Sequence, residues 1–89
     1  MYQVKWFNKK KGFGFVVDET DKEYFCHHSD IDITGYKYLR PGEYISGKLE
    51  TMEDGKVKVS SIGPPVKWGK LMCQVEIERH NMDIHDKNL

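Results

Sequence analysis

The sequence predicts an all-β fold, a small closed barrel or a sandwich, and three observations lead to that expectation. Five short stretches alternate apolar and polar residues at period two, which is typical of half-buried strands. Turn-forming residues separate these stretches, and no amphipathic helix lies between them. With 89 residues, the chain suffices for one domain and has no room for a second, catalytic one. Closure is favoured because it removes the edges that a small open sheet would expose.

The first two strands are predicted to form a hairpin. Residues 2–8 alternate large and polar side chains and are rich in aromatic and β-branched types, which indicates a strand. Residues 8–11 supply the turn, and residues 12–18 return as the second strand. Gly12 and Gly14 in the second strand favour strong bending or a close approach of another backbone.

The two faces of this hairpin differ in character. One face combines large aromatic rings with a lysine: Trp6, Lys11, Phe13 and Phe15. The other face has Phe7, Gly12, Gly14 and Val16. Because rings stack on bases and ammonium groups neutralise phosphates, the first face suits single-stranded nucleic acid. The alternative is that its rings form the core, although the glycines would then make a poor inward-facing surface.

Charge is distributed unevenly along a chain whose formal net charge is zero. The first dozen residues contain no acid and four lysines, Lys5, Lys9, Lys10 and Lys11. Six acidic residues then fall between positions 18 and 32. Affinity for a polyanion must therefore come from local charge placement. A merely solvated surface is the alternative interpretation.

A third strand is predicted at residues 23–28. Its two faces would carry Phe25 and His27 on one side, and Tyr24, Cys26 and His28 on the other. Ser29 and Asp30 can accept backbone N–H bonds, so we expect a helical turn over residues 30–33.

The remaining strands are predicted to form a second hairpin. Residues 34–42 contain two glycines, a proline and three large side chains, which indicates an ordered loop. Residues 43–51 alternate as a half-buried fourth strand, and residues 56–62 alternate as the fifth. Between them, Asp54 and Gly55 are a strong tight-turn signal.

The C-terminal segment differs from the predicted barrel. A Gly-Pro-Pro sequence ends the sheet, because proline cannot donate to a ladder, so we divide the chain into a domain at residues 1–63 and an extension at residues 64–89. Alternation over residues 70–79 predicts an additional strand, with a short helix as the competing interpretation. Such a strand needs an edge, on the same barrel or on a second copy, which makes it a candidate homodimer element. Residues 80–89 form a polar tail that we expect to fray.

Cysteine usage and hydropathy bear on the compartment. Cys26 and Cys73 lack the paired spacing of a zinc clip or a redox motif, so we expect free, buried thiols. No apolar run approaches the roughly 20 residues of a membrane span, and no signal peptide opens the chain. We therefore predict a cytoplasmic protein that has no membrane association and no cofactor.

A metal site is the first alternative chemistry that the sequence raises. Cys26, His27, His28 and Asp30 lie close together and carry metal-binding groups. On a strand, however, His27 and His28 point to opposite faces, and no second ligand pair lies at a suitable spacing. The sequence therefore does not predict a metal site.

Several motifs occur together in the order of a known family. Residues 11–16, KGFGFV, and residues 24–29, YFCHHS, resemble the two nucleic-acid motifs of the cold-shock domain family. The KWFN start at residues 5–8 and the Gly-Tyr pair at residues 35–36 follow the family order as well. Residues 4–63 thus resemble a cold-shock domain, which implies a five-stranded antiparallel OB-fold barrel. The resemblance offers no interpretation of the C-terminal extension.

The resemblance implies that the outer face of the barrel binds single-stranded RNA or DNA. Rings that would stack on bases are Trp6, Phe13, Phe15, Phe25, His27 and Tyr36. Lys5 and Lys11 would meet phosphates and base edges.

This chain departs from the family pattern at three positions. His28 stands where the family usually has a further stacking phenylalanine, so we include it in the site and expect a weaker, pH-dependent subsite. Asp30 replaces a small apolar residue, and we favour a capping role for it over repulsion of phosphate. Cys26 replaces a buried aliphatic side chain, which a small apolar thiol can do without new chemistry.

Three rival classes fit less well. An RNA-recognition motif needs a strand and a helix before its aromatic string, and only ten residues precede Lys11. An enzyme would depend on His27 or His28 beside an acid, on a convex surface that shields little from water. A protein-interaction or dimerisation module that uses the C-terminal strand, with weak or no nucleic-acid binding, is the remaining alternative. We predict a non-catalytic chaperone that keeps strands unpaired and thereby affects transcription or translation.

Overall fold

The computed structural model describes residues 1–66 and 69–87, with side chains as far as residue 79. The elements in chain order are β1 (Tyr2–Asn8), β2 (Phe13–Val17), β3 (Glu23–His27), β4 (Tyr44–Thr51), β5 (Val57–Gly63) and α1 (Met72–Lys87). Each strand agrees with its predicted range to within one residue at either end. A 3-10 turn at His28–Asp30 follows β3 directly and begins earlier than the turn predicted for residues 30–33.

The strands form a closed barrel in the order β1-β2-β3-β5-β4, which confirms the predicted architecture. Pairing between β4 and β1 completes the circle. The pairs are antiparallel except at one seam, where β3 and β5 run parallel with Phe25 opposite Lys58. The prediction of an antiparallel barrel is corrected at that seam. Strands β3 and β5 can run parallel because the long loop and β4 lie between them in the chain.

The barrel interior contains the inward-facing residues of all five strands. Its members include Val4, Val16, Cys26, Ile45, Val59 and Ile62. Side chains from outside the strands complete the cluster: Ile31, Tyr38, Leu39, Leu71 and Cys73. Each fully buried aliphatic side chain of this kind contributes about 1.5–3 kcal/mol relative to its exposed state. The loop at residues 34–42 and the segment before α1 are therefore part of the same core.

Both cysteine thiols are free and buried, as predicted. Burial raises the pKa of Cys26 to about 12 and also raises the pKa of Cys73. Since the thiolate is the reactive form, burial disfavours reaction of both thiols in the folded protein.

The strand predicted for residues 70–79 is wrong, because α1 occupies this part of the chain. A closed barrel has no free strand edge, so a sixth strand would leave its backbone groups unpaired. The helix instead satisfies its own backbone. The predicted homodimer required this strand, so the structure does not support it. The chain division at residue 63 stays a prediction.

Local capping explains why α1 begins where it does. The Gln74 side chain accepts a hydrogen bond from the backbone N–H of Leu71 at 2.9 Å, and Glu43 accepts one from the N–H of Met72 at 2.6 Å. These bonds satisfy donors that a helix leaves unpaired at its start, and the Glu43 carboxylate favours the positive end of the helix dipole. Leu71 and Cys73 then anchor the first turn in the core. The backbone of α1 continues to Lys87 through the predicted polar tail, and residues 88–89 lie outside the described range.

Glu76 ties α1 to the loop at residues 34–42 and makes stability depend on pH. Hydrogen bonds from Arg40 and then from Tyr38 lower the pKa of Glu76 from 4.5 to about 2. Because the pKa is lower in the folded state, the stabilisation is fully present above pH 4.5 and is lost as the pH falls toward 2.

We expect Glu76→Gln to lower the free energy of unfolding at neutral pH, with a difference from the unmodified protein that shrinks as the pH falls from 4.5 to 2. Urea denaturation at a series of pH values measures this difference. Two profiles that stay parallel throughout this range would show that Glu76 is not the titrating group.

Candidate nucleic-acid interface

Strands β1, β2 and β3 bring the predicted rings together on one surface. Trp6 lies opposite Phe15, and Phe15 lies opposite Phe25, so one row of rings crosses three strands. The ring centroids are 5.4 Å apart for Trp6 and Phe15 and 5.9 Å apart for Phe15 and Phe25. Phe13 and His27 pair in the next row, with Phe13 lying 6.0 Å from Phe25. We call the five rings of Trp6, Phe13, Phe15, Phe25 and His27 the aromatic platform.

The aromatic platform faces outward. Trp6 is 39% exposed, and the other four rings are half-buried against one another. The residues that alternate with them, Gly14, Val16 and Cys26, are buried. The interpretation of these rings as barrel core is therefore wrong.

A β-bulge and a glycine set the outward orientation of Trp6. The register of β1 against β2 shifts between Val4 and Trp6, so Lys5 and Trp6 are both exposed although they are neighbours in the chain. Gly14 packs directly under this bulge: a Cβ there would lie 2.2 Å from the Trp6 carbonyl oxygen. Only glycine allows the two strands to approach this closely.

His27 has a fixed orientation at the end of the aromatic platform. Its Nδ1 accepts a hydrogen bond from the backbone N–H of Ser29 at 3.2 Å and lies 2.7 Å from the Ser29 hydroxyl. With Nδ1 as the acceptor, the proton of the neutral ring is assigned to Nε2, which leaves a donor available to a ligand. The side chain thus caps the 3-10 turn and continues the platform.

His28 does not lie on the inner face, where strand alternation placed it. The strand ends at His27, and the 3-10 turn brings the two imidazole rings to a centroid distance of 4.3 Å. His28 is exposed and its ring covers Gly12, whose added Cβ would lie 2.3 Å from the imidazole Cδ2. The argument that the two histidines point to opposite faces is therefore wrong. The predicted inclusion of His28 in the site stays a prediction.

A lysine-rich groove of about 570 Å³ lies next to the aromatic platform. It is lined by Lys9, Lys10, Lys11, Gly12, His28, Ser29, Gly35, Tyr36 and Lys37. We call it the basic groove. Tyr36 is 59% exposed and lines this groove together with His28. Its lysines make the groove a cationic surface beside the rings.

Sequence reasoning did not assign Lys9, Lys10, Ser29 or Lys37 to the site. Lys37 directly follows Tyr36 in the chain, and that neighbour relation was the signal that could have identified it. Lys9 and Lys10, in the turn between β1 and β2, were recognised only as part of a positively charged segment. Their position next to residues 34–42 depends on the tertiary fold.

Two predicted charges have partners within the protein. Lys5 of β1 forms an ion pair with Glu23 of β3 at 2.9 Å, with both side chains about half exposed. Asp30 pairs with Lys58 of β5 at 3.1 Å, where both side chains are largely buried. The capping role favoured for Asp30 is therefore wrong, because His27 caps the turn and Asp30 turns toward β5. Pairing with Lys58 also offsets the charge that would repel phosphate.

Among the described residues, no group of three or more histidine, cysteine or acidic side chains has a geometry that could hold a metal ion. In the same part of the chain, no helix is long and apolar enough to cross a membrane.

Rings on the outer face of a closed five-stranded barrel define a class, the OB-fold proteins that stack the bases of single strands. Comparison with family models then gives the particular family: the 'Cold-shock' DNA-binding domain matches residues 3–61. The chain belongs to this family. Helix α1 lies beyond the matched residues.

Curated relatives include proteins of different lengths. Cold shock-like protein CspD of Vibrio cholerae is 46% identical over 48 residues, which cover 53% of this chain and 63% of that protein. Major cold shock protein CspA of Bacillus cereus is 44% identical over 48 residues, which cover 54% of this chain and 72% of CspA. Protein lin-28 of Caenorhabditis briggsae is 40% identical over 55 residues, 61% of this chain and 23% of lin-28. The chain thus spans about a quarter of lin-28 and less than two thirds of CspD.

Proposed function

We propose that this protein binds single-stranded RNA or DNA, without catalysis, by stacking bases on the aromatic platform while phosphates follow the basic groove. The observation that carries this proposal is the contiguous row of outward-facing rings across β1, β2 and β3. Membership of the cold-shock family supports it. The site would comprise the predicted Lys5, Trp6, Lys11, Phe13, Phe15, Phe25, His27, His28 and Tyr36, together with Lys10 and Lys37.

Stacking energies are sufficient for useful affinity. Each stacked base contributes about 1–3 kcal/mol. Four or five occupied rings therefore suffice for about micromolar binding, even after the cost of ordering a flexible strand. Because every base has a flat face, such binding has low sequence selectivity.

A chaperone activity follows from this mode of binding. Bases held flat against the aromatic platform cannot pair, so hairpins in the bound strand do not re-form. Since each stacking contact is weak, bound segments exchange quickly and release the strand to transcription or translation. The two free, buried thiols support a cytoplasmic location, because disulfides are rare in a reducing compartment.

Fluorescence of Trp6 offers a direct test. The chain has two tryptophans, so a Trp68→Phe variant leaves Trp6 as the only one. We expect short oligothymidine and oligouridine to quench this variant's emission as they stack on the ring, while a duplex of the same length does not. Labelled strands should be recovered intact after incubation. Absence of quenching by either oligomer contradicts the proposal, and cleavage abolished by His27→Ala would indicate an enzyme.

Salt dependence tests the contribution of phosphates. Lys5 pairs with Glu23, and the Lys9 ammonium lies over the Tyr38 ring. The other three groove lysines, Lys10, Lys11 and Lys37, are counted as available to a strand. For single strands, the plot of log K against log salt concentration becomes steeper by about −0.7 for each phosphate that the protein neutralises. Three contacts therefore predict a slope of about −2. Lys37→Gln should make that slope shallower by about 0.7. A slope steeper than about −4 would mean that charge, not stacking, dominates.

A further inference from the structure

A carboxylate of α1 reaches the loop that carries Tyr36. Glu76 Oε1 accepts a hydrogen bond from Arg40 Nε at 2.7 Å, while Oε2 accepts from Arg40 Nη2 at 2.6 Å and from the Tyr38 hydroxyl at 2.7 Å. Two-pronged contacts between guanidinium and carboxylate are both strong and directional. Arg40 and Tyr38 are therefore held in one geometry by a residue outside the family match.

The contacts of Tyr38 continue into the basic groove. Tyr38 is buried, with 4% exposure. The Lys9 ammonium lies 3.9 Å above the Tyr38 ring, and the Tyr36 ring lies 5.5 Å from it. The Tyr36 hydroxyl donates to the Lys9 carbonyl at 3.4 Å. Two lining residues of the groove, Lys9 and Tyr36, thus rest on a ring that Glu76 holds.

We propose that Glu76 is a positioning residue for the nucleic-acid interface: through Tyr38 and Arg40 it holds Tyr36, whose hydroxyl rests on the Lys9 carbonyl, in the orientation that a bound strand requires. This inference rests on the proposed function. Helix α1 then contributes to nucleic-acid binding, although it lies beyond the residues that match the family. Ile77, the next residue of α1, also approaches the loop, with its Cδ1 4.0 Å from the Cβ position of Gly35.

Charge alone predicts the opposite effect, which makes the inference testable. A carboxylate near a polyanion repels it, so removing the Glu76 charge would strengthen binding if electrostatics were its whole effect. A positioning residue has the opposite effect. Its removal leaves the loop mobile, so part of the binding free energy is spent on ordering the loop and affinity falls. The direction of the change in affinity separates the two.

The experiment compares Glu76→Gln with Glu78→Gln. Both remove one negative charge from α1, but Glu78 forms its exposed ion pair with Lys70, which is not a residue of the loop. Binding of oligothymidine is measured at a temperature where circular dichroism shows both variants fully folded. We expect Glu76→Gln to weaken binding about three- to five-fold, less than loss of a whole stacked ring. Glu78→Gln should bind as well as the unmodified protein or slightly better. Unchanged or tighter binding by Glu76→Gln overturns the inference.

A double-mutant cycle with Tyr36→Ala tests the route of the effect. If Glu76 acts through Tyr36, Glu76→Gln should cost affinity in the original background and much less when Tyr36 is already absent. An equal loss in both backgrounds overturns that route.

Should Glu76→Gln fail to fold, Tyr38→Phe removes only the hydroxyl link and should weaken binding about two-fold, while unchanged affinity overturns the inference. An unmodified protein that does not bind oligothymidine would overturn the proposed function itself.

Discussion

Phe15→Ala is expected to weaken binding of single-stranded oligonucleotides by roughly 5- to 150-fold, which corresponds to the 1–3 kcal/mol of one stacked base. Phe15 lies at the centre of the aromatic platform, 5.4 Å from Trp6 and 5.9 Å from Phe25. Its loss removes a stacking surface and also loosens both neighbours. Fluorescence titration with oligothymidine measures the change.

The same substitution should affect stability only through the two contacts of Phe15 with neighbouring rings. Phe15 is half-buried, so the fold loses its aromatic contacts, about 0.5–1.5 kcal/mol for each pair, and no inward packing. Val16→Ala is the matched control, because Val16 is the next residue of β2 and is fully buried. It should lower the free energy of unfolding by about 2 kcal/mol while leaving the affinity of the folded protein intact. If Phe15→Ala instead lowers stability and leaves affinity intact, the ring belongs to the core.

Gly14→Ala is expected to have the largest effect on stability. The added Cβ would lie 2.2 Å from the Trp6 carbonyl oxygen and 2.8 Å from the Phe7 Cα. Both are backbone atoms of the paired strand β1, so relief requires separating the two strands next to the bulge. Overpacking commonly costs 1–3 kcal/mol, and we expect about 3 kcal/mol or more here because no side chain can move aside.

Thermal melting followed by circular dichroism measures this effect. A loss of about 3 kcal/mol corresponds to a fall in Tm of about 12 °C or more for a domain of this size. Gly63→Ala is the control, since Gly63 is also a strand glycine and its added Cβ would meet only the Ser46 hydroxyl oxygen, at 3.9 Å. Equal melting temperatures for the two variants would contradict the steric explanation. Any folded Gly14→Ala should also bind less well, because Trp6 shifts with β1.

The strands and the outward rings were predictable because their signals are local. Period-two alternation assigns each residue of a strand to one face, and the buried positions of Val16 and Cys26 agree with it. Glycines at positions 12 and 14 already indicated that this face could not be filled by side chains, which left the aromatic rings to the outside. The tight turn at Asp54 and Gly55 likewise depends on neighbouring residues alone.

Two of the errors concern partners that are distant in sequence, and the error at His28 is local. Alternation over residues 70–79 fits a strand, but a strand also needs an edge, and the closed barrel has none to offer. His28 left the predicted face because the strand ends one residue earlier, where Ser29 binds the His27 ring. Asp30 forms an ion pair with Lys58, which lies 28 positions further along the chain.

By itself, the sequence determined the number and order of the strands, the turns and the set of rings that face solvent, since these follow from backbone periodicity and from residues within a few positions of each other. Only the tertiary structure decided that the C-terminal segment is a helix, that its Glu76 holds Tyr38 and Arg40, and that lysines from two separate segments line one groove. The physical reason is that closure of the barrel determines which strand edges pair and which opposite charges come into contact. These contacts join residues that are distant in sequence, so a local sequence pattern does not predict them.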